Sequence, residues 1–216
     1  MKTLILNGSP KGRKGNSEIF CRRFIMGMPN QPEVRYVAEE DPVELAAVMN
    51  EYDHWLFFFP LYVNAMPGIL KRLFEHLNPH EEKKVGYFIQ SGFEEAFQSD
   101  WLCTILKNFN RRMGYEDLGI VVAGGMAGVR YMPDRMNKKT FSRLEKLGLL
   151  YEKNGVFDQE IIRQFGQLNR YSKMQLRRIC FFKKLGLTDM FWNSMLKKNN
   201  AYEKRFDKPF APQKGE

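Results

Sequence analysis

Residues 4–17 read LILNGSPKGRKGNS, a short apolar segment that runs into a loop of glycines, hydroxyls and cations. The pattern predicts a strand, a turn-rich loop and then a helix that begins near Asn16 or Ser17. The first turn of a helix has unpaired N–H groups and the positive end of the helix dipole, so it stabilises an anion placed there. The segment therefore predicts a strand–loop–helix unit that binds phosphate.

The glycine spacing in this loop excludes two common phosphate-binding motifs. Gly8, Gly12 and Gly15 do not fit the G-x-x-x-x-G-K-[ST] loop that holds nucleoside triphosphates. They do not fit the dinucleotide fingerprint G-x-G-x-x-G either. A single phosphate, such as that of a mononucleotide, remains compatible with the loop. An ordinary loop that binds no ligand remains compatible as well.

The first 125 residues alternate strand-like and helix-like patterns. The predicted strands are Thr3–Asn7, Glu33–Tyr36, His54–Phe59, Val85–Gln90 and Leu118–Ala123. The predicted helices are Ser17–Met28, Val43–Glu51, Pro67–Leu77 and Glu95–Met113. The third strand is apolar without alternation, as expected for a central parallel strand covered on both faces. The pattern predicts the α/β class, with an open, doubly wound sheet of five parallel strands.

Loops after the strands are the expected place for a ligand. In doubly wound sheets, ligands bind beyond the carboxyl ends of the strands, where the strand order reverses. The loops after the third, fourth and fifth strands are rich in small and aromatic residues and cover residues 60–68, 91–95 and 124–128. These loops and the loop after the first strand are therefore predicted to meet at one site.

The sequence changes character beyond about residue 134. Further helices are predicted at Lys138–Leu150, Asp158–Tyr171, Ser172–Lys184 and Thr188–Lys197, followed by a polar tail, Lys208–Glu216. We expect a first domain at residues 1–153 and a basic helical extension at residues 154–216. The extension carries aromatic residues that either pack on the parent domain or form a dimer contact or an active-site cover; they are Phe181, Phe182, Phe191, Trp192, Tyr202 and Phe206.

The net charge of +9 is placed unevenly. Residues 1–120 carry 14 Lys and Arg against 16 Asp and Glu, whereas residues 121–216 carry 20 against 9. Such a basic region suits nucleic acid, anionic lipid, an acidic protein or a phosphorylated cosubstrate, and it is equally compatible with a solvated helical surface. No nucleic-acid motif accompanies it, so no nucleic-acid partner is predicted.

Cysteine usage and apolar runs predict a cytoplasmic protein. Cys21, Cys103 and Cys180 are isolated and odd in number, which argues against a disulfide framework, a zinc site or an iron–sulfur cluster. The three histidines show no metal-ligand spacing, so no metal is predicted. The longest apolar run, residues 55–63, is too short to span a bilayer, and the first residues show no signal-peptide pattern. We expect no stable membrane insertion.

Three segments resemble the flavodoxin-fold NAD(P)H-dependent FMN reductases and related flavoprotein oxidoreductases. The first is the NGSP start at residues 7–10 with GNS at residues 15–17. The second is FPLY at residues 59–62, followed by MPGILK at residues 66–71, and the third is QSGF at residues 90–93. The resemblance covers about residues 3–130 and implies a flavodoxin-like sheet with FMN as cofactor, NADPH or NADH as cosubstrate, and a homodimer.

The resemblance also implies which residues hold FMN. Those expected at the phosphate are Ser9, Lys11, Asn16 and Ser17. Those expected along the isoalloxazine are Pro60, Leu61, Tyr62, Val63 and Asn64. Ser91, Gly92 and Phe93 are expected to close the remaining side. No catalytic side chain is implied, because the flavin itself carries the chemistry.

The function expected from this resemblance is that of an FMN-dependent NAD(P)H oxidoreductase. It would pass a hydride from nicotinamide to flavin and then reduce a small-molecule acceptor such as a quinone or another flavin. One alternative is a flavodoxin-like electron carrier, although such carriers dock on basic partners through acidic surfaces, which a +9 chain fits poorly. The other is a non-enzymatic binding protein with the same fold.

Overall fold

A computed structural model describes residues 1–186 and 188–208, apart from the side chain of Phe191. The chain divides into two compact units, Met1–Arg170 and Tyr171–Glu216. Most of the predicted polar tail, residues 209–216, lies outside the described residues.

The first unit contains a five-stranded sheet. Its strands are β1 (Thr3–Asn7), β2 (Glu33–Tyr36), β3 (His54–Pro60), β4 (Lys84–Gln90) and β5 (Glu116–Ala123). They pair in the order β2-β1-β3-β4-β5, and every neighbouring pair is parallel. This is the strand order of flavodoxin-like sheets, whose switch point lies between β1 and β3. The predicted doubly wound parallel sheet is confirmed.

Six helices surround this sheet, and their bounds differ in part from the prediction. They are α1 (Asn16–Met26), α2 (Pro42–Met49), α3 (Gly68–Phe74), α4 (Asp100–Met113), α5 (Asp134–Asn154) and α6 (Gln159–Phe165). α4 begins later than predicted because a separate 3-10 turn, Ala96–Ser99, precedes it. α6 ends earlier than predicted, and Gly166 follows as its C-cap.

Alternate side chains of β3 build the two halves of the core. Trp55, Phe57 and Phe59 lie in the apolar cluster that contains residues of α2, α3 and α4. Leu56 and Phe58 lie in the other cluster, with residues of α1, α5 and α6. Burying each such side chain contributes roughly 1.5–3 kcal/mol, which explains why the strand is apolar without alternation. The sheet is therefore a rigid base for the loops at its carboxyl end.

Residues 154–170 belong to the first unit in the structure. Phe157 donates its backbone N–H to the carbonyl of Leu118 in β5 (3.0 Å), and Ile161 of α6 is buried in the core. The division into domains at residues 153 and 154 stays a prediction about independently folding parts.

The second unit contains α7 (Lys173–Lys184) and α8 (Met190–Lys198). Ser172 starts α7 with a capping box: its Oγ accepts from the N–H of Gln175 (3.2 Å), and Gln175 Oε1 accepts from the N–H of Ser172 (2.8 Å). None of the helices among the described residues has both the length and the apolar composition needed to cross a membrane.

Candidate functional site

A cleft lies at the carboxyl end of the sheet, where the loops after β1, β3, β4 and β5 meet. It encloses about 290 Å³, near the lower end of small-molecule sites. Its lining residues are Ser9, Lys11, Lys14, Gly15, Asn16, Pro60, Leu61, Tyr62, Gln90, Ser91, Gly92, Ala127, Arg130 and Tyr131. The four loops that the sequence singles out therefore do converge.

Buried polar side chains fix the loop after β1. Asn7 Oδ1 accepts from the backbone N–H of Ser9 (3.1 Å), and Asn7 Nδ2 donates to Glu18 Oε2 (3.2 Å). Ser9 Oγ accepts from the backbone N–H of Lys11 (3.2 Å). Asn7, Ser9 and Glu18 are all buried. The loop is thus held in one shape by groups within the chain, and that shape positions the start of α1.

Gly15 closes this loop and opens the first turn of α1. A Cβ atom at Gly15 would lie 2.7 Å from Ser9 Oγ and 3.3 Å from Lys11 Cβ, so a larger residue cannot occupy the position without a shift. As the N-cap residue, Gly15 offers no side chain to the first-turn N–H groups. The helix start therefore has donors available for an external acceptor.

The charge around the cleft is positive. Lys11, Lys14 and Arg130 line it, and no Asp or Glu is among its lining residues. None of these three cations takes part in an ion pair within the part of the chain that the structure describes. Three cations with no counter-charge in a cleft favour an anionic ligand.

Two long-range hydrogen bonds attach the loop after β5 to the start of α1. Arg130 Nη2 donates to the carbonyl of Gly15 (2.7 Å), and Asn16 Nδ2 donates to the carbonyl of Met126 (2.9 Å). One amide hydrogen of Asn16 is therefore already used within the chain. The backbone N–H at this position remains the more suitable donor for a phosphate.

Arg13, which lies in the loop after β1, binds Glu39 and does not line the cleft. Its Nε donates to Glu39 Oε2 (3.1 Å), and its guanidinium lies 3.8 Å from the ring centre of Tyr36. The hydrogen bond to Glu39 raises the pKa of Arg13. Burial and the hydrogen bond to Glu18 raise the pKa of Tyr36. These groups therefore contact one another, and Arg13 is not among the residues that line the cleft.

The loop after β3 forms a tight two-residue turn. Tyr62 and Ala65 exchange both backbone hydrogen bonds, at 2.9 and 3.0 Å. Val63 and Asn64 between them have φ angles of +50° and +61°. Asn tolerates this left-handed region, whereas a β-branched residue does not, so the backbone at Val63 is strained. Such strain clusters at ligand sites.

The loop after β4 is bonded to the loop after β5. The N–H of Ser91 donates to Ala123 (2.9 Å), and the carbonyl of Ser91 accepts from Met126 (2.7 Å). Gly125 donates to the carbonyl of Phe93 (2.7 Å), and Ser91 Oγ donates to the same carbonyl (2.9 Å). The Ser91 hydroxyl hydrogen is therefore engaged, which leaves its oxygen as an acceptor.

Eight of the twelve predicted cofactor-binding residues line the cleft. They are Ser9, Lys11, Asn16, Pro60, Leu61, Tyr62, Ser91 and Gly92. Val63, Asn64 and Phe93 lie on adjacent parts of the same loops, with Val63 94% exposed and Phe93 51% exposed. Ser17 is fully buried in the first turn of α1, and its Oγ has no hydrogen-bond partner among the described residues.

Six lining residues are not among the predicted ones. They are Lys14, Gly15, Gln90, Ala127, Arg130 and Tyr131. The glycines after β5 indicate a turn in the sequence, but no local pattern predicts that the segment after it brings Arg130 and Tyr131 to the cleft. Their position depends on the hydrogen bonds between Arg130 and Gly15 and between Asn16 and Met126. Among the residues that the structure describes, no three His, Cys, Asp or Glu side chains are placed to hold a metal ion.

Solved structures share this architecture. One is a protein from P. pentosaceus described as an NADPH-quinone reductase, with 20% identity, a TM-score of 0.53 and coverage of 68% of this chain and 96% of its own. Another is the FMN-dependent NADH-azoreductase from Bacillus anthracis str. Ames Ancestor in complex with FMN, with 16% identity, a TM-score of 0.53 and coverage of 70% and 100%. The chain has a flavodoxin-like fold.

The Trp repressor binding protein from Bacillus subtilis matches this flavodoxin-like fold as well, with 17% identity, a TM-score of 0.53 and coverage of 66% of this chain and 98% of its own. The resemblance predicted from the loop motifs is thus confirmed for the fold. About a third of this chain has no counterpart in these neighbours. No protein-family model and no curated protein matches the sequence.

Proposed function

We propose that the chain is an FMN-dependent NAD(P)H oxidoreductase that passes a hydride from nicotinamide to flavin and then reduces a small-molecule acceptor. The single observation that carries this is the cleft at the β1/β3 switch point, which three cations line without a carboxylate. The names of two structural neighbours, a quinone reductase and an azoreductase, support the same reaction class.

The residues around the start of α1 fit a phosphate. Ser17 Oγ is buried without a partner among the described residues, and such a hydroxyl costs about 1–3 kcal/mol unless an acceptor satisfies it. A ligand phosphate at the first turn of α1 supplies an acceptor. We propose that Ser9, Ser17 and the backbone N–H of Asn16 hold the phosphate, with charge from Lys11 and from Lys14 and Arg130 on the cleft wall.

The loops after β3 and β4 fit a planar ring system. We propose that Pro60, Leu61 and the ring of Tyr62, which is 44% exposed, lie along the isoalloxazine, with Val63 and Asn64 at the tip of the same turn. We propose that the residues on the opposite side are Ser91, Gly92 and Phe93. When bound, FMN supplies the hydride chemistry, so the protein needs to bind, orient and shield it, and we assign no catalytic side chain.

The proposal also covers the electron acceptor, the hydride donor, the oligomeric state and the location in the cell. We propose that the acceptor is a quinone, a flavin or a similar small molecule. Either NADPH or NADH serves as the donor, with the basic charge of the chain favouring NADPH because of its extra phosphate. A homodimer in the cytoplasm is proposed from the family resemblance and from the isolated cysteines.

Visible absorption of the purified full-length chain tests the cofactor. We expect a flavin spectrum, or its appearance on titration with FMN, and bleaching when NADPH or NADH is added without oxygen. Steady oxidation of the nicotinamide with a quinone alone distinguishes an enzyme from an electron carrier. A chain that neither contains nor binds FMN contradicts the proposal.

Gly15→Ala tests whether the loop after β1 holds FMN. The added Cβ would lie 2.7 Å from Ser9 Oγ, so the loop must move and FMN affinity should fall at least tenfold. Gly166→Ala is the matched control, because its Cβ would meet its nearest atom at 3.8 Å, an ordinary contact. Equal FMN affinity in the two variants would assign the ligand to another place.

A further inference from the structure

The second unit, Tyr171–Glu216, carries most of the excess positive charge. It holds 11 of the 34 Lys and Arg residues but only 4 of the 25 Asp and Glu residues. The first unit is nearly balanced, with 23 cations against 21 carboxylates. The net charges are therefore +7 for the second unit and +2 for the first. Most of the net positive charge therefore belongs to the short second unit.

The same unit exposes large apolar side chains. No residue of α7 is buried. The exposed apolar residues of the unit are Met174, Leu176, Ile179, Phe181, Phe182, Leu185, Met190, Trp192 and Phe206. Water-exposed apolar groups at this density mark a surface that contacts another apolar phase or partner.

Three of the five Lys and Arg residues of α7 form a stripe, whereas Arg178 and Lys183 lie on other sides of the helix. Lys173, Arg177 and Lys184 are spaced by four and seven residues, which places them on one face of the helix. Met174 and Phe181, seven residues apart, lie on the adjacent face and are 72% and 60% exposed. Long cationic side chains beside an exposed apolar face are typical of helices that lie in a membrane interface, where the cations reach the lipid phosphates.

We propose that the second unit binds the surface of an anionic lipid bilayer, with the cations of α7 at the headgroup phosphates and its apolar side chains in the interface. Charge complementarity selects this partner, because a net +7 surface repels a second copy of itself. Five of the nine exposed apolar residues of the unit are not aromatic (Met174, Leu176, Ile179, Leu185 and Met190). Such side chains enter a lipid interface but cannot stack on nucleic-acid bases, which favours lipid as the partner.

Vesicle flotation with the full-length chain tests this proposal directly. One set of vesicles contains phosphatidylcholine alone, and the other contains phosphatidylcholine with phosphatidylglycerol. We expect the protein to float with the anionic vesicles and to remain with the soluble fraction beside the neutral ones. Binding should weaken as sodium chloride is raised, because exposed charges are screened. The readout is independent of FMN, so the proposal can fail while the proposed function stands.

Two sets of variants assign the binding to α7. Replacing Lys173, Arg177 and Lys184 with Gln should lower partitioning onto anionic vesicles about 100-fold, since each cation contributes about fivefold. The matched control replaces Lys107, Arg111 and Arg112 with Gln, which removes the same charge from the exposed side of α4. This control should keep nearly all of the binding.

A second pair of variants tests the contribution of apolar side chains to vesicle binding. Met174→Ser with Phe181→Ser should lower partitioning about tenfold or more, because two apolar side chains no longer enter the interface. Trp101→Ser with Ile105→Ser is the matched control, since these side chains are 75% and 53% exposed on α4. Circular dichroism confirms that each variant is folded, as expected for substitutions at exposed positions.

Three results would overturn the proposal. The first is that the wild-type chain binds neither set of vesicles. The second is that it binds neutral and anionic vesicles equally. The third is that single-stranded RNA or an acidic peptide competes fully for α7 while the Met174 and Phe181 substitutions have no effect, which would assign the surface to a polyanion other than a membrane.

Discussion

The two ends of the sheet in the first unit satisfy their polar groups in opposite ways. At the amino end, the hydroxyl of Tyr151 lies 2.8 Å from His54 Nδ1 and 3.0 Å from Thr3 Oγ1. Lys83 Nζ donates to the carbonyls of Asn50 (2.8 Å) and Tyr52 (2.9 Å). His54, Tyr151 and Lys83 are buried, and each of these three has a hydrogen-bond partner within the chain.

At the carboxyl end, some polar groups have no partner of opposite charge or no hydrogen-bond partner among the described residues. Lys11, Lys14 and Arg130 line a cleft that contains no carboxylate among its lining residues. Ser17 Oγ is buried without a partner among the described residues. Both ends are polar, but three cations share one cleft only at the carboxyl end, where a buried hydroxyl also lacks a partner among the described residues. A polar group that the chain satisfies serves stability, whereas one that it leaves unmatched is available to a ligand.

Removing Tyr151 should produce the largest effect, and it should act on stability alone. Its ring is fully buried against Phe24 and Phe157, so Tyr151→Ala should lower the free energy of unfolding by about 3–5 kcal/mol. Tyr151→Phe keeps the ring and leaves His54 and Thr3 without their partner, which should cost about 1–3 kcal/mol. Urea denaturation measures both.

FMN affinity is the control for these two variants. Because Tyr151 contacts the amino end of the sheet, the dissociation constant measured by flavin fluorescence should stay within about twofold of the wild-type value for Tyr151→Phe. A larger change in that variant would show that the two ends of the sheet are coupled, and that the amino end does not serve stability alone.

Removing the Arg130 side chain should weaken FMN binding and change stability little. Arg130→Ala deletes a cation of the cleft and its bond to the Gly15 carbonyl, so FMN should bind about 10–100-fold more weakly. The loss in unfolding free energy should be small by comparison, since Arg130 is an exposed residue. Titration of FMN against the purified variants measures the affinity.

Arg163→Ala is the matched control for Arg130. Arg163 forms an exposed ion pair with Glu160 on α6 (2.7 Å), a type of pair that contributes only about 0–1 kcal/mol. We expect its FMN affinity to equal that of the wild type. If both arginine variants weakened FMN binding alike, a general loss of charge would explain the effect and the cleft would lose its special role.

The amino end should also carry a pH dependence. Burial lowers the pKa of His54 below its ordinary value of 6.5, and the nearby Lys84 lowers it further. The unfolded chain then binds the proton more tightly than the folded chain does. Stability from this group is complete above about pH 6.5 and is lost as the pH falls towards the lower folded pKa, with a slope of at most about 1.4 kcal/mol per pH unit.

Denaturation with urea across pH 5–7.5 measures this slope. His54→Gln should unfold more easily at neutral pH and should lose part of the decline below pH 6.5. His80→Gln, which changes an exposed histidine, should keep the wild-type slope. An unchanged slope in His54→Gln would assign the pH dependence to other groups.

Local patterns were enough to predict the sheet but not the whole cleft. The bounds of β1 and β2 and the apolar character of β3 follow from short-range patterns, and the structure confirms them. Arg130 follows no such pattern, because its place depends on a bond to Gly15, 115 residues earlier in the chain. The separate start of α4 was missed for a similar reason: the preceding turn bonds through Ala96 to the carbonyl of Leu168 (2.8 Å).

The turn at Val63 should give the smallest effect and the opposite sign. Turns with positive φ favour Gly or Asn. Asn64 fits this preference, whereas Val63, with a φ of +50°, does not. Val63→Gly should remove about 1–2 kcal/mol of strain and lose about 0.4–1 kcal/mol through the more flexible unfolded chain. A net gain of about 0.5–1 kcal/mol in unfolding free energy should result, measured by urea denaturation without FMN.

Val156→Gly is the control for this strain, because Val156 is partly exposed and is not among the residues with positive φ. There the substitution should only lower stability, by about 0.4–1 kcal/mol. Opposite signs for the two variants would locate stored strain at the carboxyl end, in the turn that carries Tyr62 to the cleft. If both variants were destabilised equally, the carboxyl end would differ from the amino end in charge but not in strain.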